Sequence, residues 1–213
     1  MKQSIVFSLV ALALVAVATP GHSADNTWGS GADDKTFDAM LQAGFKDRGI
    51  ATVDRLKQDS TQKFCSDPVS AASPKMEKTR KKIEAENLAS VKWPSDGKWL
   101  GDWKEGEKVA QSGKGLTWSD KADQPNGGNC YNCHQISPKE IAFGTIGPSL
   151  YNYGKIRGNS EEMLRATWAK IFNAKSSNAC SNMPRGGHMG IITEKQIQDV
   201  MALLLDPQSP VNQ

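Results

Sequence analysis

The feature that most constrains this chain is a five-residue motif, Cys-Tyr-Asn-Cys-His, at residues 130–134. Two cysteines separated by two residues can bring both sulfurs to one edge of a porphyrin, and the histidine that follows is placed to bind the iron. We therefore expect Cys130 and Cys133 to attach one haem c covalently. We expect His134 to be the proximal iron ligand.

Two other interpretations of the motif fit the sequence less well. A thioredoxin-like redox pair needs a β-α-β context and no particular residue after the second cysteine. A zinc site needs a second close pair of cysteines or histidines, and the sequence has none.

The first 24 residues have the pattern of a secretory signal peptide. Lys2 supplies a positive charge, and the mainly apolar run at residues 5–18 is too short to span a bilayer. We expect cleavage after Ala24, with a retained anchor helix as the alternative. No later segment is apolar enough to span a membrane, so we expect a mature protein in the periplasm without a membrane anchor.

The net charge of the chain is small. The 213 residues include 26 basic and 23 acidic side chains, a formal net charge of +3. Removal of the leader takes Lys2 with it and leaves 25 basic against 23 acidic residues, or +2. Charge therefore gives no indication of binding to nucleic acid or to a membrane surface.

The hydrophobic periodicity is helical and predicts an all-α protein. A shift in composition at residues 93–96 divides it into an N-terminal extension, residues 25–95, and a cytochrome c domain, residues 96–213. Helices are predicted at residues 34–46, 76–91, 101–112 and 161–172, with a last helix that begins at the N-cap Thr193 and stops at Asp206-Pro207. Proline and glycine predict loops at residues 66–74 and 138–148.

A six-coordinate haem needs a second axial ligand, which we expect from residues 182–189. Met183 is the preferred candidate because a thioether is a soft, neutral ligand and Pro184 stiffens the loop that carries it. Met189 and His188 are the alternatives in the same loop. A methionine here could also simply fill a gap in the packing.

Two further residues are candidates for supporting roles. The second ring nitrogen of His134 should donate a hydrogen bond that fixes the ring, and the carbonyl of Pro148 is a candidate acceptor. Arg157 is a candidate partner for a haem propionate, with a solvated surface charge as the alternative.

The remaining cysteines, Cys65 and Cys180, form an even pair in an oxidising compartment, and we expect a disulfide between them. Such a bridge would tie the extension to the loop just before Met183. Two buried free thiols, or a bridge to another chain, are the alternatives.

The second half of the chain contains an ordered set of short motifs: Gly-Asn-Cys-Tyr-Asn-Cys-His at 128–134, Gly-Thr-Ile-Gly-Pro-Ser-Leu at 144–150, Tyr-Gly at 153–154, Arg-Gly at 157–158, Asn-Met-Pro-Arg at 182–185, Gly-Ile-Ile-Thr at 190–193, Asp-Pro at 206–207 and Ser-Pro-Val-Asn at 209–212. Together, these motifs resemble SoxX, the monohaem subunit of the thiosulfate-oxidising cytochrome SoxAX. The resemblance runs from about residue 99 to residue 213. Residues 25–95 exceed a minimal cytochrome domain and are not mapped onto the family residue by residue.

The resemblance implies a class I cytochrome c fold. The helical periodicity of residues 25–95 adds a largely helical N-terminal extension to it. The resemblance also implies that His134 and Met183 are the axial ligands and that the chain forms a heterodimer with a SoxA-like cytochrome. SoxAX complexes join thiosulfate oxidatively to a cysteine thiol of the carrier SoxYZ, as an L-cysteine S-thiosulfotransferase. The bond-forming site lies at the SoxA haem, so this chain would have no catalytic residue and would pass electrons to a downstream acceptor.

Two other functions stay open at this point. A free-standing periplasmic electron shuttle would carry the same haem without an enzyme partner. A haem enzyme such as a peroxidase would need a distal ligand that dissociates.

Overall fold

The computed structural model describes residues 34–213, so the expected signal peptide and the start of the extension lie outside the described residues. This part of the chain contains one isolated bridge, between Arg48 and Ala51, and no β-strand, which confirms the predicted all-α class. Its α-helices are α1 (Asp34–Gly44), α2 (Ser60–Ser66), α3 (Pro68–Ala72), α4 (Glu77–Ala89), α5 (Trp103–Gln111), α6 (Tyr153–Arg157), α7 (Glu161–Phe172) and α8 (Glu194–Leu205). None of these helices is both long enough and apolar enough to cross a membrane.

Short 3-10 helices connect several of the α-helices, at Val53–Leu56, Pro74–Met76, Cys130–Asn132, Ala174–Ser176 and Pro210–Asn212. By its internal contacts the chain divides into two units, residues 1–41 and residues 42–213. The second unit contains α2 to α8. The domain boundary expected at residues 93–96 stays a prediction.

Helix α8 lies at the centre of the second unit. Every residue from 197 to 205 is buried, including polar Gln198 and Asp199, so the helix is covered on all sides. Its start follows the sequence signal, because the Thr193 side chain accepts from the Gln196 backbone and the Gln196 side chain accepts in return. It ends before Pro207, as predicted.

Helix α5 packs directly on α8 through Gly106. A Cβ atom at this position would lie 2.1 Å from the backbone oxygen of Asp199, so only glycine allows the two helices to approach this closely. The Asp199 side chain also accepts a hydrogen bond of 2.7 Å from the backbone N–H of Asp102, the N-cap residue of α5. Backbone and side chain therefore fix the start of α5 against α8.

The region predicted as a loop at residues 66–74 is partly helical. Helix α2 begins after the N-cap Asp59, whose carboxylate accepts from Gln62 N–H at 2.8 Å, while the Gln62 side chain accepts from the Asp59 N–H at 2.9 Å. Pro68 then starts α3, at a position where a helix tolerates proline. The loop prediction was wrong because it relied on the two prolines and overlooked the capping box of Asp59 and Gln62.

The sequence around α4 predicts a thin apolar line of Met76, Ile83 and Leu88, and this prediction is also partly wrong. Ile83 is buried, but Leu88 is exposed, and Asn87 takes the inner position instead. The Asn87 amide donates to the Ile83 carbonyl at 2.8 Å and its oxygen accepts from the Asn173 amide at 2.9 Å. A polar contact thus joins α4 to the segment after α7, which hydrophobic periodicity does not detect.

We predict that Gly106→Ala destabilises the fold by about 3 kcal/mol, because the new methyl group meets the α8 backbone, which cannot move aside as a side chain could. Denaturant unfolding of the purified protein measures the change. Gly44→Ala is the matched control, since nothing lies within 4 Å of a Cβ built on Gly44. Equal stability of the two variants would show that α5 and α8 are not held in this contact.

Candidate functional site

The Cys-Tyr-Asn-Cys-His motif forms one tight turn after α5. Asn129 enters it in the left-handed region, with a φ of 49°. The carbonyl of Cys130 then accepts from the N–H groups of Cys133 at 3.1 Å and of His134 at 2.9 Å. Both cysteines are half-buried, and they are not bonded to each other. The turn therefore presents two thiols and an imidazole within five residues.

The loop that follows wraps back over this turn. Gly144 N–H donates to the Tyr131 carbonyl and Gly147 N–H to the Cys133 carbonyl, both at 2.8 Å. A Cβ on Gly147 would lie 2.2 Å from Cε1 of His134, so the absence of a side chain lets the loop pass against the ring.

The orientation of His134 is fixed by Pro148. His134 Nδ1 lies 2.7 Å from the Pro148 carbonyl oxygen. Because a carbonyl can only accept, His134 Nδ1–H is the donor. In the tautomer that makes this contact with a neutral ring, the lone pair lies on Nε2. An orienting hydrogen bond on one ring nitrogen is typical of a histidine that binds a metal through the other.

A buried hydrogen-bond network supports the turn from α5. The Tyr131 hydroxyl donates to the Glu107 carboxylate, with oxygens at 2.9 and 3.1 Å, and accepts from the Ser137 N–H at 3.1 Å. Burial raises the pKa of Glu107, and the nearby Glu140 charge adds to this, although hydrogen bonds from Tyr131 and Gln111 act in the opposite direction. Burial also raises the pKa of Tyr131, and the Glu107 carboxylate raises it further.

The electrostatics of Cys130 differ from those of a redox-active cysteine. Burial raises the pKa of its thiol to about 11, so the thiol is protonated at neutral pH. Reactive cysteines of disulfide oxidoreductases instead have a lowered pKa. The thioredoxin-like interpretation therefore finds no electrostatic support at this position.

The candidates for the second axial ligand differ in their environments. Met183 is partly buried and packs against the same hydrophobic core as Cys130. Met189 is 57% exposed. His188 is also largely exposed, with Nδ1 3.3 Å from the Ser90 hydroxyl, and burial together with the Arg185 charge lowers the pKa of its ring. Of these environments, that of Met183 suits a ligand to a buried iron.

Arg157 is the last residue of α6 and is exposed. No ion pair is found for it among residues 34–213. A role toward a haem propionate stays a prediction.

The loop that carries Met183 is linked to α2 on both sides. Cys65 and Cys180 are bonded, which confirms the predicted disulfide. Beyond Met183, the buried Arg185 guanidinium pairs with the Asp59 carboxylate at 2.7 Å. Burial acts to raise the pKa of Asp59, but hydrogen bonds from Gln62 and Arg185 outweigh it and lower that pKa.

Sequence reasoning missed Asp59, Glu107 and Tyr131. Asp59 could have been found, because Asp-Ser-Thr-Gln at residues 59–62 has the spacing of a capping box. The Glu107–Tyr131 contact joins residues that are 24 positions apart, and no local pattern signals it.

The described residues thus form an all-α protein in which two unpaired cysteines and an oriented histidine share one turn, the donor set that covalent haem attachment requires. No family model matches the chain. It is 40% identical over 156 residues to an uncharacterized lipoprotein from Aquifex aeolicus (strain VF5). The match covers 73% of this chain and 73% of the lipoprotein. The chain belongs to the family of that lipoprotein.

The length of this match is informative about the extension. Residues 96–213 number 118, so a match of 156 residues includes part of the chain before residue 96. The similarity therefore extends beyond the region that resembles SoxX.

We predict that Tyr131→Phe destabilises the fold by about 2 kcal/mol at pH 8, because the Ser137 N–H loses its acceptor and the Glu107 carboxylate keeps only the donor of Gln111. The pKa of Glu107 in the folded protein lies above its ordinary value of 4.5. Below pH 4.5, Glu107 is therefore protonated in both the folded and the unfolded state, and the loss of stability caused by Tyr131→Phe should be smaller there. Chemical denaturation at pH 8 and below pH 4.5 measures the free energy of unfolding of variant and parent.

Tyr151→Phe is the control, because the Tyr151 hydroxyl makes one long hydrogen bond of 3.4 Å, to the Gln213 carbonyl. A pH-independent loss for Tyr131→Phe would contradict the proposed link to Glu107.

We also predict that the double variant Cys65→Ser, Cys180→Ser is less stable by about 4–5 kcal/mol, because the unfolded chain loses a long closed loop. Thermal and denaturant unfolding measure the change. Reduction of the unmodified protein should reproduce the loss, and reduction of the double variant should have no further effect. Equal stability of variant and parent would refute this contribution.

Proposed function

We propose that this chain is an electron-transfer cytochrome c of the SoxX kind, with one haem c. The observation that carries the proposal is the motif turn, in which two unpaired cysteines precede a histidine whose Nδ1–H donates to the Pro148 carbonyl. When bound, the haem supplies reversible one-electron transfer between ferric and ferrous iron.

The residues present fit this group. Cys130 and Cys133 would form the thioether bonds, and His134 would bind the iron through Nε2, the nitrogen that the contact with Pro148 leaves free. Met183 would be the second ligand, because it is partly buried against the hydrophobic core on which Cys130 also packs, whereas Met189 is exposed. A histidine and a methionine together leave no position for a substrate, so the chain would transfer electrons without binding one.

The class I cytochrome c fold is part of this proposal. Its support is the arrangement in which α5, just before the motif, and α8, near the end of the chain, pack together at Gly106. The motif turn is then attached to this pair through Tyr131 and Glu107.

We further propose that the chain is the haem subunit of a SoxAX-type complex in the periplasm. It would accept electrons when the complex couples thiosulfate to a cysteine thiol of a SoxYZ carrier, as an L-cysteine S-thiosulfotransferase. The bond-forming site would lie on a SoxA-like partner. The disulfide and the description of the relative as a lipoprotein support a location outside the cytoplasm.

The first test is covalent haem content and its ligand. Expressed in a host that matures c-type cytochromes, the protein should gain the mass of one haem. Met183→Ala should lower the midpoint potential and let carbon monoxide bind the reduced form, because a distal position opens. Met189→Ala is the matched control and should leave the absorption spectrum unchanged. A Met183→Ala protein that keeps its thioether charge-transfer band would disprove the ligand assignment.

The second test concerns the partner. Affinity purification from the native periplasm under mild salt should recover a second cytochrome in equal amount, because a subunit of a stable complex stays bound through purification. A haem-loaded protein that runs as a monomer without such a partner would favour the free-standing shuttle. Carbon monoxide binding by the unmodified reduced protein would favour a haem enzyme instead.

A further inference from the structure

A surface cavity of about 430 Å³ lies beside the Met183 loop, between that loop and α2. Its lining combines apolar residues with polar ones. It includes two amide side chains of the extension, two polar residues that precede Met183, and two basic residues, namely Gln58, Gln62, Ser181, Asn182, Lys175 and Arg185. Such a combination of amides, hydroxyls and cations is suited to a ligand that accepts hydrogen bonds.

Both basic residues are buried, which is unusual for charged side chains. Lys175 is 7% exposed and Arg185 is 6% exposed. The Lys175 ammonium donates to the neutral carbonyl of Ala179 at 3.1 Å, whereas Arg185 pairs with Asp59. An ammonium has three N–H donors, so a single carbonyl leaves most of the capacity of Lys175 for another acceptor.

The charges around the cavity do not cancel. Asp59 does not line the cavity, but its carboxylate pairs with Arg185 and acts on Lys175, and its side chain is 41% exposed. Apart from Lys175 and Arg185, the side chains that line the cavity are uncharged. Burial lowers the pKa of Lys175, and the like charge of Arg185 lowers it further, while Asp59 acts in the opposite direction. Two buried cations with one carboxylate are stabilised when a further anion joins them.

We propose that Lys175 and Arg185 form a binding site for an anionic oxygen group. Two sources have this chemistry: a small inorganic oxyanion such as sulfate, and a carboxylate of the haem itself. Met183, the proposed iron ligand, lines the same cavity, so a haem carboxylate is a candidate for the second source. The site follows from the residues alone, and only the haem source rests on the proposed function.

Sulfate titration of the haem-loaded protein by calorimetry, at constant ionic strength in chloride, tests the first source. Lys175→Gln should weaken sulfate binding by about tenfold or more, because it removes a charged donor. Asp59→Asn should instead tighten it, because it removes the competing carboxylate from Arg185. Lys170→Gln is the matched control, since Lys170 is also partly buried but does not line the cavity.

Two variants with opposite expected effects keep the test decisive. If Lys175→Gln does not fold, Asp59→Asn carries the test, and sulfate should then raise its unfolding temperature more than that of the unmodified protein. Sulfate affinity that is the same in the unmodified protein, Asp59→Asn and Lys170→Gln would overturn an oxyanion site at these residues.

If the protein binds no sulfate, a carboxylate of the haem is tested as the anion that occupies the site. The carboxylate bands in its redox-difference infrared spectrum should then move in Lys175→Gln and stay in place in Lys170→Gln. No sulfate binding and no band shift would overturn the proposal. Haem content is measured beforehand. A protein without haem would refute the proposed function, and sulfate titration of that haem-free protein would still decide the anion site.

Discussion

The contact between α5 and α8 at Gly106 is the constraint on which the candidate site depends. Because α8 is buried on all sides, its position is set by the whole core, and α5 takes its position from α8. The chain then returns to α5 before the motif, where Gly128 N–H donates to the Val109 carbonyl at 2.8 Å. The motif turn is thus fixed to the core at its entrance and, through Tyr131, at its centre. A functional group on a loop gains precision when rigid elements support both ends.

The extension has a structural role that its polar sequence conceals. Helix α2 has little apolar surface, and its attachment comes from the disulfide and from the pair of Asp59 with Arg185. These two links flank Met183, at positions 180 and 185. The segment therefore restrains the loop of the candidate ligand without packing a large hydrophobic face. The match to the lipoprotein from Aquifex aeolicus includes residues before position 96, which agrees with an extension that is part of the fold.

The sequence predicted those parts of the structure that depend on local periodicity and capping. Helix α7 has the predicted bounds, and α8 starts at the predicted cap. Short helices such as α6 were missed because five residues carry too little periodicity to be detected. The contact of Asn87 with Asn173 was missed because it depends on the packing of distant segments. At the site, the motif identified the turn and its histidine, whereas the contact of the half-buried Glu107 carboxylate with Tyr131 became visible only in three dimensions.

The four cysteines must reach two different chemical states in one compartment. The bridge between Cys65 and Cys180 spans 115 positions, and both motif cysteines lie inside the ring of chain that it closes. If the chain is exported from its N-terminus, Cys130 and Cys133 would leave the translocation channel before Cys180 does, so each of them would meet Cys65 first. Their close spacing also makes a bond between the two of them a competing product. The raised pKa of Cys130 keeps its thiol protonated once this region has folded, which slows its reaction with the oxidants that form the bridge. Local burial thereby makes Cys130 a poorer partner for disulfide exchange than an exposed thiol.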